Sequence, residues 1–293
     1  MALAQTFPLH DGRTLGFDDV GDPGGVAVFF VHGTPDSRRS RHPDDGLATA
    51  LGIRLVAVDR PGIGLSSPDR GFTVGSFAED VATLAEALGI DTWATFGWSA
   101  GAPFALAMAA RHPDRVHRVA VAAGLVPFAA YVTPGILDDA DGGRHMVAEL
   151  GAELGPTATA EMAAPMLAPY PCDLDLAREH VAEGADDKRR ADLASVTGAA
   201  EAMAVGVVDA VAQGMDGLVR EVELQVEDPD VTWQDVRCPV DLWYGGLDGT
   251  APPSFGRWWE GTLTHANLTV DPDAGHLIAL THWRPIMSLL VGT

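Results

Sequence analysis

Val26–Val31 reads VAVFFV, and Ile53–Val58 reads IRLVAV. Short, nearly continuous apolar runs rich in β-branched and aromatic residues predict strands buried on both faces, as in a parallel sheet. Upstream, "TFPLHDGRTLGFDDVGDPGG" is interrupted at Asp11-Gly12 and predicts a hairpin. Between the two apolar runs, "HPDDGLATALG" has room for a short helix. In "SFAEDVATLAEALGI" the apolar residues Phe77, Val81, Leu84 and Leu88 recur with a helical period. A strand "WATFG", a helix "AGAPFALAMAARHP" and a strand "HRVAVAAG" follow. Strand–helix alternation of this kind predicts a mostly parallel α/β sheet with helical crossovers.

The pattern changes near residue 128. From there to 232 the chain shows helical periods and acidic loops but no buried strand. "TATAEMAAPML", "DLAREHVAEG" and "KRRADLASVTGAAEAMAVGVVDAVAQGMDGLVREVEL" read as helices, the last broken at its glycines. The α/β alternation then returns with "CPVDLWYGG" as strand, "PPSFGRWWEGTL" as helix, "ANLTVDP" as strand and "IALTHWRPIMSLLV" as a closing helix. The expected organisation is one α/β domain from residues 1–127 and 233–293, interrupted by a helical insertion at 128–232.

Composition narrows the classes. A formal net charge of −22 repels phosphate backbones and anionic membranes, so neither nucleic acid nor a membrane is an expected partner. The same charge also simply keeps a protein in solution. No run approaches the apolar length of a membrane span, and "MALAQTFPLHDG" lacks the pattern of a secretory signal, so a cytoplasmic protein is expected. The two cysteines, Cys172 and Cys238, form no disulfide framework and have no metal-ligand spacing. Cys238 reads as a small buried hydrophobe. No metal or cofactor is expected, and the expected partner is a small-molecule substrate.

The candidate chemistry centres on "TFGWSAGAPF". Gly97-Trp98-Ser99-Ala100-Gly101 matches G-x-S-x-G at a strand-to-helix junction, the context that gives this pattern meaning. A tight turn there holds one hydroxyl above the sheet in a strained conformation. Strand and helix backbones then pass so closely that the flanking positions have to be small. The following helix directs free N–H groups and its positive end at the same point. Ser99 alone also reads as an ordinary helix N-cap. A serine nucleophile needs a base, and the base an orienting acid. "WYGGLDGTAP" places Asp248 just beyond one expected strand, and "DPDAGHLIAL" places His276 just beyond the next.

These segments, with "FFVHGTPDS" and "VDRPGIGLSS", resemble an α/β-hydrolase-fold serine hydrolase of the branch that carries a helical cap after the sixth strand. The resemblance implies Ser99 as nucleophile, His276 as base and Asp248 as orienting acid. It implies an oxyanion hole from the backbone N–H groups of Thr34 and Ala100, with His32-Gly33-Thr34-Pro35 as the turn that supplies the first donor. Serine at the elbow disfavours the dehalogenase and epoxide-hydrolase chemistries that use aspartate there. The cap branch with serine contains carboxylesterases, lactonases, C–C bond hydrolases, proline iminopeptidases and perhydrolases. The leading expectation is hydrolysis of a carboxylic ester or lactone of a small apolar substrate. C–C or amide cleavage is the alternative, and a non-catalytic ligand-binding homologue a further one.

Other polar and aromatic residues have structural readings. His32 and the pair Asp59-Arg60 read as braces of their loops. Asp271 and Asp273 read as turn formers. Amide cleavage at a free amino terminus asks for cap acids around the amine. Asp138, Asp139, Asp141, Glu149 and Glu153 provide candidates, as would any solvated acidic face. Trp98, beside the serine, is the aromatic expected at the pocket wall. Phe128, Tyr131, Met162, Met166 and Trp243 read equally as pocket lining or core.

Overall fold

The computed structural model describes residues 4–167 and 170–292. The first half alternates as β1 (Gln5–Pro8), β2 (Thr14–Gly21), β3 (Val26–Val31), α1 (Gly46–Ala50), β4 (Ile53–Val58), α2 (Val74–Ala87), β5 (Trp93–Trp98), α3 (Ala102–Arg111) and β6 (Val116–Ala122). Five helices follow: α4 (Gly142–Leu167), α5 (Leu174–Glu183), α6 (Asp187–Ser195), α7 (Ala199–Val211) and α8 (Asp216–Val226). The chain closes with β7 (Val240–Gly245), α9 (Pro253–Thr262), β8 (Ala266–Asp271), α10 (Ile278–Thr281) and α11 (Trp283–Leu290). Eight strands form one sheet in the order β1-β2-β4-β3-β5-β6-β7-β8. The β1–β2 and β2–β4 pairs are antiparallel, and every later pair is parallel.

Central strands are covered on both faces. All six residues of β5 are buried. Phe30 of β3 and Phe96 of β5 are direct sheet neighbours, and both rings meet Trp283 of α11 at 5.6 and 5.3 Å between centroids. Thr95, one residue away, points to the opposite face and donates its hydroxyl to the Ala105 carbonyl of α3. Alternate residues of the apolar runs thus face two helical layers. Cys238 is buried, and burial pushes its thiol up to about 11, as suits a packing residue. Among the described residues no single helix is long and apolar enough to cross a membrane.

The insertion differs from expectation in one place. The sequence suggests a helix only from "TATAEMAAPML", whereas α4 begins at Gly142 and runs through "GGRHMVAELGAEL", with a non-helical residue, Gly155 at φ 76°, ahead of Pro156. Gly142, Gly143 and Gly151 lower intrinsic helix propensity there. Packing overrides it: a Cβ on Gly151 would sit 2.5 Å from the Phe128 ring, so the glycine admits a close neighbour. Of the four glycines in the run expected to break further on, Gly206 lies inside α7 and Gly217 inside α8, while the other two do interrupt the helix. Gly198 (φ 85°) separates α6 from α7, which meet at 108°, and Gly214 (φ 96°) precedes α8. The expected single closing helix is divided at His282 into α10 and α11. Pro285 explains the division, since its ring excludes a helical carbonyl from Thr281, four residues earlier.

Helix α8 lies on the turn that follows β4. A Cβ on Gly217 would come within 2.7 Å of the Gly62 carbonyl oxygen, so the two backbones touch. Gly217→Ala is expected to lower stability by about 1–3 kcal/mol through overpacking at this crossing, read as a lower urea midpoint with an unchanged m-value.

Candidate active site

Strand β5 ends at Trp98, and the chain reverses through Ser99 into a short 3-10 turn that continues as α3. Ser99 has φ 54°, a left-handed conformation that a side-chain-bearing residue adopts only where its surroundings enforce it. The enforcement is steric. A Cβ on Gly101 would lie 2.3 Å from the Val31 carbonyl oxygen and 2.6 Å from that of His32. A Cβ on Gly97 would lie 2.7 Å from the Gly101 carbonyl oxygen and 2.8 Å from Ala105 Cβ. Both flanking positions therefore require glycine, as the spacing of the motif implied. Pro103 in the first turn of α3 removes an N–H that has no helical partner.

The structure brings Ser99, His276 and Asp248 together. Ser99 Oγ lies 3.1 Å from His276 Nε2, and His276 Nδ1 lies 2.8 Å from Asp248 Oδ2. An ionised carboxylate only accepts, so Nδ1 carries the ring proton and Nε2 is left to accept from the serine hydroxyl. Asp248 follows β7 and is held by its own turn: its Oδ1 accepts from the N–H groups of Thr250 at 2.9 Å and Ala251 at 3.0 Å. The Asp248 side chain is almost wholly buried at 1% exposure, while that of His276 keeps 20%, enough to reach a ligand.

The His32–Pro35 turn runs alongside. A Cβ on Gly33 would be 3.2 Å from Ser99 Cβ, so this backbone passes directly beside the serine. No acceptor for the main-chain N–H of Thr34 is found among the described residues, and Ala100 lies in the first turn after the elbow, where helical N–H groups lack carbonyl partners. The turn is braced from behind by Arg60, whose guanidinium is fully buried and donates to the carbonyls of His32 and Gly33 (2.9 Å for the latter) and to Thr34 Oγ1 at 3.0 Å. Burial and the adjacent Arg60 charge hold His32 well below the usual imidazole range, so it stays neutral, with Nδ1 2.7 Å from the Gly33 carbonyl. Asp59 braces the neighbouring loop, accepting from Arg38 at 2.8 and 2.6 Å and from Leu65 N–H at 2.9 Å.

Arg60 finds its counter-charge in the insertion. Glu221 of α8, 3% exposed, accepts from Arg60 Nε at 2.6 Å and also from the Thr34 hydroxyl. No motif marks Glu221 in the sequence, where it is one acid of many in "VREVELQV". Only its side of α8 distinguishes it, and that needs the docked helix.

A cavity of about 450 Å³ opens at Ser99 and His276. Trp98 reaches it but is 2% exposed. Its Nε1 donates to the His276 carbonyl at 3.1 Å, which ties the histidine loop to the serine strand. Trp98 is thus chiefly a brace of the base-bearing loop, a part that sequence adjacency to Ser99 did not reveal. Phe128, Tyr131 and Trp243 pack elsewhere, against one another, Phe255 and His282, and Met162 is solvent-exposed. The Met166 side chain lies outside the described residues. Asp138, Asp139, Asp141, Glu149 and Glu153 are all exposed and none lines the cavity, although Asp141 accepts from the Thr250 hydroxyl at 2.8 Å and the Arg144 N–H at 2.9 Å. The expectation of an apolar pocket is corrected: Asp36, Arg144, Arg189, Tyr170, His180 and Gln225 share the lining with Leu125, Met203 and Val207. Nothing in the sequence separates inward-turned charges of the insertion from those facing water. Among the described residues no group of metal-ligating side chains comes together.

Comparison with known proteins agrees with this fold. A family model described as alpha/beta hydrolase fold matches residues 26–146. Bromoperoxidase from Bacillus anthracis superimposes with a TM-score of 0.71 at 19% identity, covering 99% of this chain and 100% of that one. The chain has the α/β-hydrolase fold. Within it, the enol-lactonase from Burkholderia xenovorans LB400 is another structural neighbour, with a TM-score of 0.66, 17% identity and 98% coverage of both chains. In sequence, the proline iminopeptidase of Neisseria gonorrhoeae is 33% identical over 120 residues. That match spans 37% of this α/β-hydrolase-fold chain and 38% of the relative.

Asp36 has a measurable signature. Burial pushes its carboxyl up to about 7, although the Ser40 hydroxyl at 2.5 Å and the Arg189, Arg60 and His276 charges oppose the rise. The unfolded chain releases this proton near pH 3.8 and the folded chain near 7, so between those values the folded state binds more protons. This contribution is most favourable below pH 3.8, falls as pH rises toward 7 and is constant above. Asp36→Asn removes it. The melting temperature of the variant relative to wild type is expected to climb by several degrees between pH 5 and pH 8. A difference independent of pH in calorimetry would contradict this.

Proposed function

We propose that this protein is a cofactor-free serine hydrolase that cleaves a carboxylic ester or lactone through an acyl-enzyme. The observation that carries the reading is the continuous chain from Ser99 Oγ through His276 to Asp248, 3.1 and 2.8 Å, mounted on a left-handed elbow. Ser99 Oγ attacks the acyl carbon while its proton passes to His276 Nε2. The oxyanion is received by the N–H groups of Thr34 and Ala100, which face charge only as it develops. Collapse of the tetrahedral species breaks the bond to the leaving alkoxide, which takes the proton from Nε2 and departs as the alcohol. In a lactone the alcohol stays attached to the acyl group. Water then gives a proton to Nε2 and attacks the acyl carbon, and release of Ser99 Oγ, reprotonated by His276, yields the acid. Asp248 keeps the ring in the productive tautomer and offsets the imidazolium charge.

Amide cleavage is the second reading, and the sequence likeness to a proline iminopeptidase favours it. Against it stands the cavity, where Asp36 is the one carboxylate among the lining residues and two arginines accompany it. A substrate ammonium would meet more positive than negative charge.

A fluorophosphonate probe should label the wild-type protein and not Ser99→Ala, and p-nitrophenyl acetate hydrolysis should fall to background in that variant. Absence of both labelling and turnover in the wild type would sink the hydrolase reading. Faster release from prolyl-p-nitroanilide than from the ester would transfer it to amides. Asp248→Asn should lower kcat by about three to four orders of magnitude, because the ring loses its enforced tautomer, while circular dichroism stays unchanged.

A further inference from the structure

Two arginines of the helical insertion, Arg144 on α4 and Arg189 on α6, reach the cavity that holds Ser99 and His276. Their surroundings are unusual for this chain, which carries 41 acidic residues against 19 basic ones. Most arginines among the described residues end on carboxylates, such as Arg38 on Asp59, Arg54 on Asp19, Arg60 on Glu221 and Arg220 on Glu227. Arg189 does not: its main-chain N–H donates to Asp186, but its guanidinium has no hydrogen bond or ion pair among the described residues. Arg144 donates Nη1 to the neutral Gln225 Oε1 at 3.0 Å, and its Nε is sealed from solvent with no acceptor. A guanidinium turned into a cavity with unfilled donors costs desolvation energy, of which the charge interaction of Arg189 with Asp36 returns only a part. An acceptor from outside would return it.

We propose that Arg144 and Arg189 form an anion subsite that selects esters or lactones bearing a carboxylate on the acyl portion. The proposal rests on the serine-hydrolase reading for its reaction and names the substrate class of that same cavity. Planar guanidinium forks match a carboxylate in geometry as well as charge. Asp36, which lines the same cavity, opposes a second negative charge and so favours a monoanion over a dianionic phosphate. The cavity, at about 450 Å³, is within the range of small-molecule sites. The neutral residues Leu125, Met203 and Val207 remain to hold the methylene stem between carboxylate and acyl carbon. Within a molecule of net charge −22, the subsite also offsets the field that an anionic substrate meets on approach.

The test compares ethyl hydrogen glutarate with its neutral isostere, ethyl glutaramate. Wild-type kcat/KM for the anionic ester is expected to exceed that for the amide at least tenfold. The ratio should fall toward one in Arg144→Gln/Arg189→Gln, chiefly through KM. Where the double variant does not fold, Arg189→Gln alone carries the test, since its guanidinium bonds nothing among the described residues. Binding to Ser99→Ala by calorimetry reads the subsite without turnover: the anionic ester should bind at least tenfold tighter, and adding the two arginine substitutions should erase the difference. Equal affinity of Ser99→Ala for the two compounds overturns the subsite. Tight, arginine-dependent binding with no turnover in the wild type would instead uphold the subsite and overturn the hydrolase reading.

Discussion

The architecture turns on one close approach. At Gly101 the start of α3 comes so near the end of β3 that a methyl group would collide with the carbonyls of Val31 and His32. That contact fixes the angle at which the chain leaves β5 and forces Ser99 to φ 54°. The strain is held by the surrounding sheet, whose central strands are buried on both faces and whose alternate side chains are locked by α3 and α11. A less rigid sheet would let the turn relax, and the serine would lose both its elevation and its line to His276.

A second constraint joins the two parts of the molecule. Arg60 is buried with its donors spread over the His32 and Gly33 carbonyls, the Thr34 hydroxyl and Glu221. Taking both charges out of water is expensive, so the pair is poor grounds for claiming stability. Its geometric consequence is firmer. The turn proposed to offer an oxyanion donor is clamped from one side by the sheet and from the other by a helix of the insertion. Movement of α8 would therefore register at Thr34 as well as at the cavity wall.

Charge is distributed in two regimes. The outer face of the insertion carries exposed acids, some of them paired with arginines of the same surface, whereas the cavity side presents Arg144 and Arg189, with Asp36 in the same lining pushed up to about 7 by burial. An acidic exterior with a basic patch inside a cavity is an arrangement that composition averages away. Net charge alone argued against large anionic partners, nucleic acid and membranes. The local lining argues for an anion of limited size and single charge.

The alternation of buried strands and amphipathic helices, the interruption by helices after the sixth strand, and the order Ser99, Asp248, His276 were all legible in the sequence. The alternation and the interruption are local patterns of side-chain size and polarity with a fixed period, whereas the grouping of Ser99 with Asp248 and His276 rested on the resemblance to a known family. The glycines around Ser99 were legible on steric grounds, since only a backbone contact demands a missing side chain on both sides of one hydroxyl. Tertiary structure alone decided which face each insertion helix turns inward. It selected Glu221 from its acidic neighbours, made Trp98 a tether for the His276 loop, and turned Arg144 and Arg189 toward the cavity. A long charged side chain is compatible with water or with a distant partner, and the pattern along the chain is the same in both cases. The partner is brought by the fold, from many residues away, and it is the partner that determines the meaning of the charge.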